Sequence, residues 1–174
     1  ASTGNSNDFG EQSTTINGPI PCMSQTRGII AGGTISPTRT NIIEYLTFST
    51  QGNSADFGDL VDPHYGMVGA SNAVRGVFHA GLDTSNNPIN TIEYITMATL
   101  GNAKDFGDTA TMESQHMGCA SPTRAIFGAG FDVPAKTSAV EYIQIMTTGD
   151  AIDFGDCTAR DETRGACSNG HGGL

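Results

Sequence analysis

The residues best able to do chemistry in this chain are carboxylates, and they recur in phase. Asp-Phe-Gly followed by an acid stands at Asp8-Phe9-Gly10-Glu11, Asp56-Phe57-Gly58-Asp59, Asp105-Phe106-Gly107-Asp108 and Asp153-Phe154-Gly155-Asp156, at steps of 48, 49 and 48 residues. The two acids of each unit lie three residues apart, with an Asn upstream in copies such as Asn102 to Asp108, and so offer oxygens of the kind calcium takes. Glu44, Glu93 and Glu141, each followed by a tyrosine (Tyr45, Tyr94, Tyr142), keep the same beat, as do Arg27, Arg75 and Arg124. Guanidinium groups in phase with carboxylates are suited to charged hydrogen bonding. His64, His79, His116 and His171, with Cys22, Cys119, Cys157 and Cys167, add the nitrogen and sulfur that zinc prefers.

Phase itself decides among these chemistries. Asp-Phe-Gly is also the magnesium-holding tripeptide of protein kinases, but no HRD-type loop accompanies it and no strand lysine is paired to a helix glutamate. Four copies at one period fit a framework part better than a catalyst. In that role Phe9, Phe57, Phe106 and Phe154 fill the space between repeats, the glycine permits a turn or bulge, and the acids accept hydrogen bonds from backbone or arginine. Calcium needs about six to eight oxygens on a curled loop, and Lys104 stands inside one copy, so no metal and no cofactor is expected. The four histidines share no repeat position and no ligand-like spacing, which assigns them to the surface or to loops. No Gly-x-Ser-x-Gly elbow is present, and the chain reads as a non-enzyme. The arginines are expected to form a ladder with Glu44, Glu93 and Glu141, or equally with the Asp-Phe-Gly acids.

The elements that position these residues follow from where the period stretches. Asp-Phe-Gly to the next arginine is 19 residues every time, and glutamate to the next Asp-Phe-Gly is 12, whereas arginine to glutamate is 17, 18 and 17. A one-residue slip inside a paired strand turns every side chain to the wrong face, so the elastic interval, between Gly81 and Thr91, is a loop. Short apolar strands open at each arginine (RGIIAGG, RGVFHAG, RAIFGAG). The strongest strands, Ile42 to Phe48, Ile92 to Met97 and Val140 to Met146, carry apolar residues on both faces and are expected between other layers. Ile16 to Met23 holds Pro19 and Pro21 and reads as an edge strand. Further short strands are expected around Gly66 to Ala70 and Met117 to Ala120. About four strands per period make the chain all-β, with a β-propeller favoured over a β-solenoid. The array runs from 1 to 174 as a partial repeat at 1–26, repeats at about 27–74, 75–123 and 124–171, and an end at 172–174.

Composition supports this. Charged residues are only 15%, Gly numbers 23, and the net charge of −10 argues against nucleic acid, whose phosphates it would repel. Of the 18 acids, 11 occupy repeat positions, so the framework itself is acidic. No apolar run nears the roughly 20 residues that span a bilayer, and membrane insertion is not expected. Cys22, Cys119 and Cys167 fall at one repeat position, with Ala70 in the fourth slot. Symmetry places them about a repeat apart, beyond disulfide reach, which reads as small buried thiols; a Cys157 to Cys167 bridge across a hairpin is the alternative.

The linked motifs resemble the kelch repeat. Gly32-Gly33, with Ala80-Gly81 and Ala129-Gly130, matches the kelch glycine pair, and Tyr45, Tyr94 and Tyr142 match its downstream tyrosine. The kelch tryptophan is absent, and the four Asp-Phe-Gly phenylalanines stand in its place. The stretch 121–156 is similar to repetitive kelch-like proteins of marine bacteriophages, which are virion structural or tail proteins. That resemblance implies a kelch-like β-propeller of about three and a half four-stranded blades in this chain, part of a larger ring or assembly. The implied function is structural, in a virion or extracellular setting, with other copies or virion proteins as partners. Two copies would make roughly seven blades. The alternative is a glycan- or protein-binding module that uses the variable loops Thr34 to Asn41, Leu82 to Thr91 and Phe131 to Ala139 on a host surface.

Overall fold

The computed structural model describes residues 4–132, 135–160 and 165–166. Cys167 and His171, and part of the third variable loop, lie outside them. The described residues contain strands and no helix, hence none long and apolar enough to cross a membrane. The first group is β1 (Ile20–Met23), β2 (Arg27–Ala31), β3 (Thr34–Ile35), β4 (Thr38–Arg39), β5 (Ile42–Thr47) and β6 (Ala55–Asp59). The second is β7 (Val68–Ser71), β8 (Arg75–Leu82), β9 (Pro88–Thr96) and β10 (Lys104–Asp108). The third is β11 (Met117–Ala120), β12 (Arg124–Gly128), β13 (Phe131–Asp132), β14 (Ala135–Lys136), β15 (Ala139–Gln144) and β16 (Ile152–Asp156).

These make three four-stranded antiparallel sheets in plain meander order, β1-β2-β5-β6, β7-β8-β9-β10 and β11-β12-β15-β16. The small hairpins β3-β4 and β13-β14 stand apart from them. Repeats counted from the arginine therefore cut through the sheets, each of which begins one strand earlier. Pro21 sits in β1 opposite Ile30, and β1 is an edge strand, as a residue without an N–H requires. The variable segment differs from expectation in the second sheet. There it is not a free loop but a continuation of the β8-β9 hairpin, with Gly81 opposite Ile89 and Leu82 opposite Pro88. The turn beyond is held by Asp83, whose Oδ1 accepts from the N–H groups of Ser85 and Asn87 at 2.8 Å each. The one inserted residue falls in this stretch, where a longer hairpin absorbs it without moving the sheet.

Asp-Phe-Gly lies in β6, β10 and β16, and each time it is a β-bulge. Glu44 pairs Asp56 while Ile43 pairs Gly58, which leaves Phe57 as the extra residue; the shift recurs at Asp105/Gly107 and between Val140 and Glu141. The core lies between successive sheets. One cluster joins Ile29, Ile43 and Phe57 of the first sheet to Phe78, Met97 and Ala103 of the second. Another joins Val77, Ile92 and Phe106 to Phe127, Ile143 and Ile145. Strand β9 is thus covered on both faces, as its apolar pattern requires, whereas β5 and β15 have a neighbouring sheet on one face only among the described residues. The opening strands also meet: β7 packs against both β1 and β11. Gly69 lies at one of these contacts, where an added Cβ would come 2.4 Å from the Pro21 carbonyl oxygen.

The three described cysteines are free thiols. Cys22 is buried, and burial pushes its thiol pKa far above the usual range. Cys119 and Cys157 are only half-buried. Where the opening strands stand side by side, Cys22 and Cys119 line one pocket of about 190 Å³, together with Ala70 and Ala166.

Candidate functional site

The in-phase residues converge on the joints between sheets. Phe57 is 2% exposed, wedged against the next sheet's Met97 and Ala103 and edge-on to its own sheet's Tyr45, with centroids 6.1 Å apart. Phe106 repeats this against Ile145 and Ala151, with Tyr94 at 5.9 Å. The bulge brings the backbone beside the following sheet's Gly-Asn turn. The Phe57 carbonyl accepts from Gly101 N–H at 2.8 Å, the Asp59 carbonyl accepts from Ala103 N–H at 2.7 Å, and Asp59 N–H donates to Asn102 Oδ1 at 3.1 Å. Asp108 and its neighbours make the same three bonds to Gly149, Ala151 and Asp150. The segment Asp8–Glu11 makes them to Gly52, Ser54 and Asn53. Gly58 has φ +146°, and a Cβ there would stand 2.5 Å from the Gly101 carbonyl carbon, so only glycine fits.

Two of the three arginines, Arg27 and Arg75, span the same joint. Arg27 Nη1 donates to the Met97 carbonyl at 2.8 Å, and Arg75 Nη1 donates to the Ile145 carbonyl at 3.0 Å. The guanidinium groups of Arg27, Arg75 and Arg124 lie 4.9, 4.4 and 4.8 Å from the ring centres of Tyr45, Tyr94 and Tyr142. The expected arginine–carboxylate ladder is therefore not formed by these residues. A planar cation sandwiched between a tyrosine face and a backbone carbonyl needs no acid. Two of the Asp-Phe-Gly aspartates, Asp8 and Asp153, turn inward on their own motif, each accepting from the glycine N–H at 3.1 Å.

The three glutamates are buried and clamp the segment that leaves the preceding Asp-Phe-Gly unit. Glu44 accepts from the hydroxyls of Ser13 and Ser54, the latter at 2.7 Å. Glu93 and Glu141 accept from the N–H groups of Val61 and Ala110 at 2.8 Å each. Burial is the main reason the Glu93 pKa rises to about 7 and that of Glu141 to about 6.

The histidines are where sequence reasoning fails. His64, His79 and His116 are buried, not superficial. His79 Nε2 lies 2.6 Å from Glu141 Oε1, its Nδ1 lies 2.9 Å from His116 Nε2, and its ring stacks on Phe127 at 4.0 Å. Burial lowers the His79 pKa to about 3; burial and then the charge of His79 hold His116 well below its ordinary value. His64 Nδ1 stands 3.5 Å from Glu93 Oε1. One signal was present: His79 occupies, in phase, the slot that Ala31 and Gly128 hold in the other sheets, a buried strand position. A carboxylate–imidazole–imidazole chain could relay a proton, but His79 has no solvent face, so the chain acts as an internal polar strut. Among the described residues no group of three His, Cys, Asp or Glu comes together to hold a metal.

The variable segments build a separate feature. A cleft of about 370 Å³ opens between the β3-β4 hairpin and the β8-β9 turn, lined by Thr34, Thr38, Arg39, Tyr65, Thr84 and Asn86. Arg39 Nη2 donates to Asn86 Oδ1, and its guanidinium sits 5.7 Å from the Tyr65 ring centre. No protein-family model matches the chain, and no curated protein matches it.

Proposed function

We propose that this chain is a non-enzymatic structural protein, a run of kelch-like β-propeller blades that serves as a phage virion or tail component. The observation that carries the reading is the repetition of one joint. Phenylalanine wedge, glycine bulge, backbone zipper and arginine strut recur between consecutive sheets, and the residues with chemical potential are engaged in building them. The opening strands, which pack side by side around a small pocket, support the propeller as the architecture. The resemblance of the repeats supports the setting. Immunoelectron microscopy tests it: an antibody to the chain should label purified tailed particles. Label confined to infected cells, with bare particles, would refute the placement.

The cleft beside Arg39 favours a second reading, recognition of a glycan or protein by the variable segments. Its hydroxyls, amide and single cation suit a polar ligand, and its volume is at the small end of the roughly 300–1,000 Å³ of small-molecule sites. Glycan-array binding lost on Arg39→Ala would support it.

A further inference from the structure

The third sheet carries the same outgoing face that the first two use, with nothing docked on it among the described residues. Phe154 is edge-on to Tyr142 at 5.9 Å, as its counterparts are to their tyrosines, yet it is 54% exposed where Phe57 and Phe106 are 2%. Arg124 lies over Tyr142 but is exposed, whereas Arg27 and Arg75 reach a carbonyl across the joint. Gly155 has φ +132°, with nothing within 4 Å of where a Cβ would stand. The face is formed, and none of the described residues occupies it.

Its counterpart is at the other end of the array. The incoming face consists of an apolar residue followed by a Gly-Asn or Gly-Asp turn: Met97 with Gly101 and Asn102, then Ile145 with Gly149 and Asp150. The first sheet presents Phe48, Gly52, Asn53 and Ser54 in the same slots. Only half of that surface is in use. Asp8–Glu11 occupies the turn through Phe9, Gly10 and Glu11, but among the described residues it brings no arginine and no tyrosine, and Phe48 remains exposed.

We infer that the outgoing face of the third sheet docks on the incoming face of the first sheet in a second copy, and that Asp8–Glu11 is a displaceable placeholder for the docking strand. This deepens the structural reading and rests on it, by naming the partner as another copy and the local segment as the gate. Residues 153–156 of one copy would make the three backbone bonds that residues 8–11 now make. Phe154 would be covered by Phe48, and Arg124 would meet the Phe48 carbonyl as Arg27 meets that of Met97. The joint is the one already built at the boundaries within the chain, so it requires no new chemistry. A tethered segment competes at an effective concentration of about millimolar, and the gate therefore holds until displaced.

The test is light scattering against protein concentration on the full chain, a chain lacking residues 1–11, and Gly10→Val. In the last, a side chain 2.1 Å from the Gly52 carbonyl oxygen evicts the segment and leaves the receiving face intact, so the proposal survives a deletion that fails to fold. Both variants should associate at concentrations about tenfold or more below the full chain. A synthetic peptide of residues 1–11 should reverse this, and Phe154→Asp should return either variant to monomer. Association that ignores Phe154→Asp overturns the interface. Equal association of the full and gated chains overturns the placeholder while leaving the structural reading in place. Monomers throughout overturn the inference, and particle labelling then decides the structural reading separately.

Discussion

Gly58→Ala is the sharpest probe of the joint, because the array supplies its own control. At Gly58 the substitution forces an L side chain to φ +146° and drives a Cβ to 2.5 Å from the Gly101 carbonyl carbon. The backbone conformation alone costs about 1–3 kcal/mol. Moving the Gly101 turn away also weakens the 2.8 and 2.7 Å bonds of Phe57 and Asp59 to the next sheet, at about 0.5–1.5 kcal/mol each. The sum, roughly 2–6 kcal/mol, is a large share of the ~5–15 kcal/mol that holds a domain together. Gly155→Ala meets the same conformational penalty at φ +132° but has open space beyond. The two substitutions should therefore differ by the contact part, about 1–3 kcal/mol. In urea, with m of about 2 kcal/mol/M, that is a gap of roughly 0.5–1.5 M between their midpoints. Equal midpoints for the two would refute the claim that close approach of the next sheet is what the Asp-Phe-Gly glycine serves.

Two further outcomes follow from the arginines and the buried acids. Arg75→Ala removes a guanidinium held by Tyr94 and the Ile145 carbonyl and should cost about 1–3 kcal/mol, whereas Arg124→Ala, exposed on its tyrosine, should cost under about 1 kcal/mol; thermal unfolding of both checks the difference. Glu93 has its pKa raised by burial from the ordinary 4.5 to about 7, so its contribution to stability is full below about pH 4.5 and is lost as pH rises through about 7. Glu93→Gln should remove that part of the decline, worth at most about 3 kcal/mol, in denaturation midpoints taken between pH 4.5 and 8, and leave the smaller part that Glu141 gives as pH rises through about 6. A decline through pH 7 as large in the variant as in the unsubstituted protein would mean that a group other than Glu93 titrates there. His79 works in the opposite sense: its pKa is lowered to about 3, so its contribution is present above about pH 6.5 and fades as pH falls.

The periodic part of this structure was legible because a repeat reports each position several times. The Asp-Phe-Gly bulge, the wedge role of Phe57 and Phe106 and the doubly covered β9 follow from in-phase residue types, and the edge strand follows from Pro21 alone. What could not be read is what breaks the period. His79 differs from Ala31 and Gly128 by a whole ring, and its place is decided by His116 and Glu141, residues 37 and 62 positions away that no local pattern links to it. The arginine partners were missed for a related reason. Sequence reasoning pairs a cation with an acid, whereas the acceptor here is a main-chain carbonyl, which every residue carries and which leaves no mark in the sequence.

The four phenylalanines show how function can attach to position in such an array and not to residue type. Phe57 and Phe106 are sealed between sheets, while Phe9 and Phe154, in the same tripeptide, are 36% and 54% exposed. Intrinsic hydrophobicity is identical; among the described residues Phe154 lacks a following sheet to supply a Met97 or an Ile145, while Phe9 meets the following sheet but lacks the tyrosine strand of its own sheet. Burying the remaining exposed ring area at about 25 cal/mol per Å² favours docking at whichever end is open. The arginine and the backbone zipper add direction, because they accept only a turn with glycine at its centre and a carbonyl at the right height. Apolar surface alone would attract many partners. Apolar surface framed by a guanidinium that reaches no carbonyl across a joint, and by an unpaired bulge, favours another sheet of this kind, which is the selectivity the proposed assembly requires.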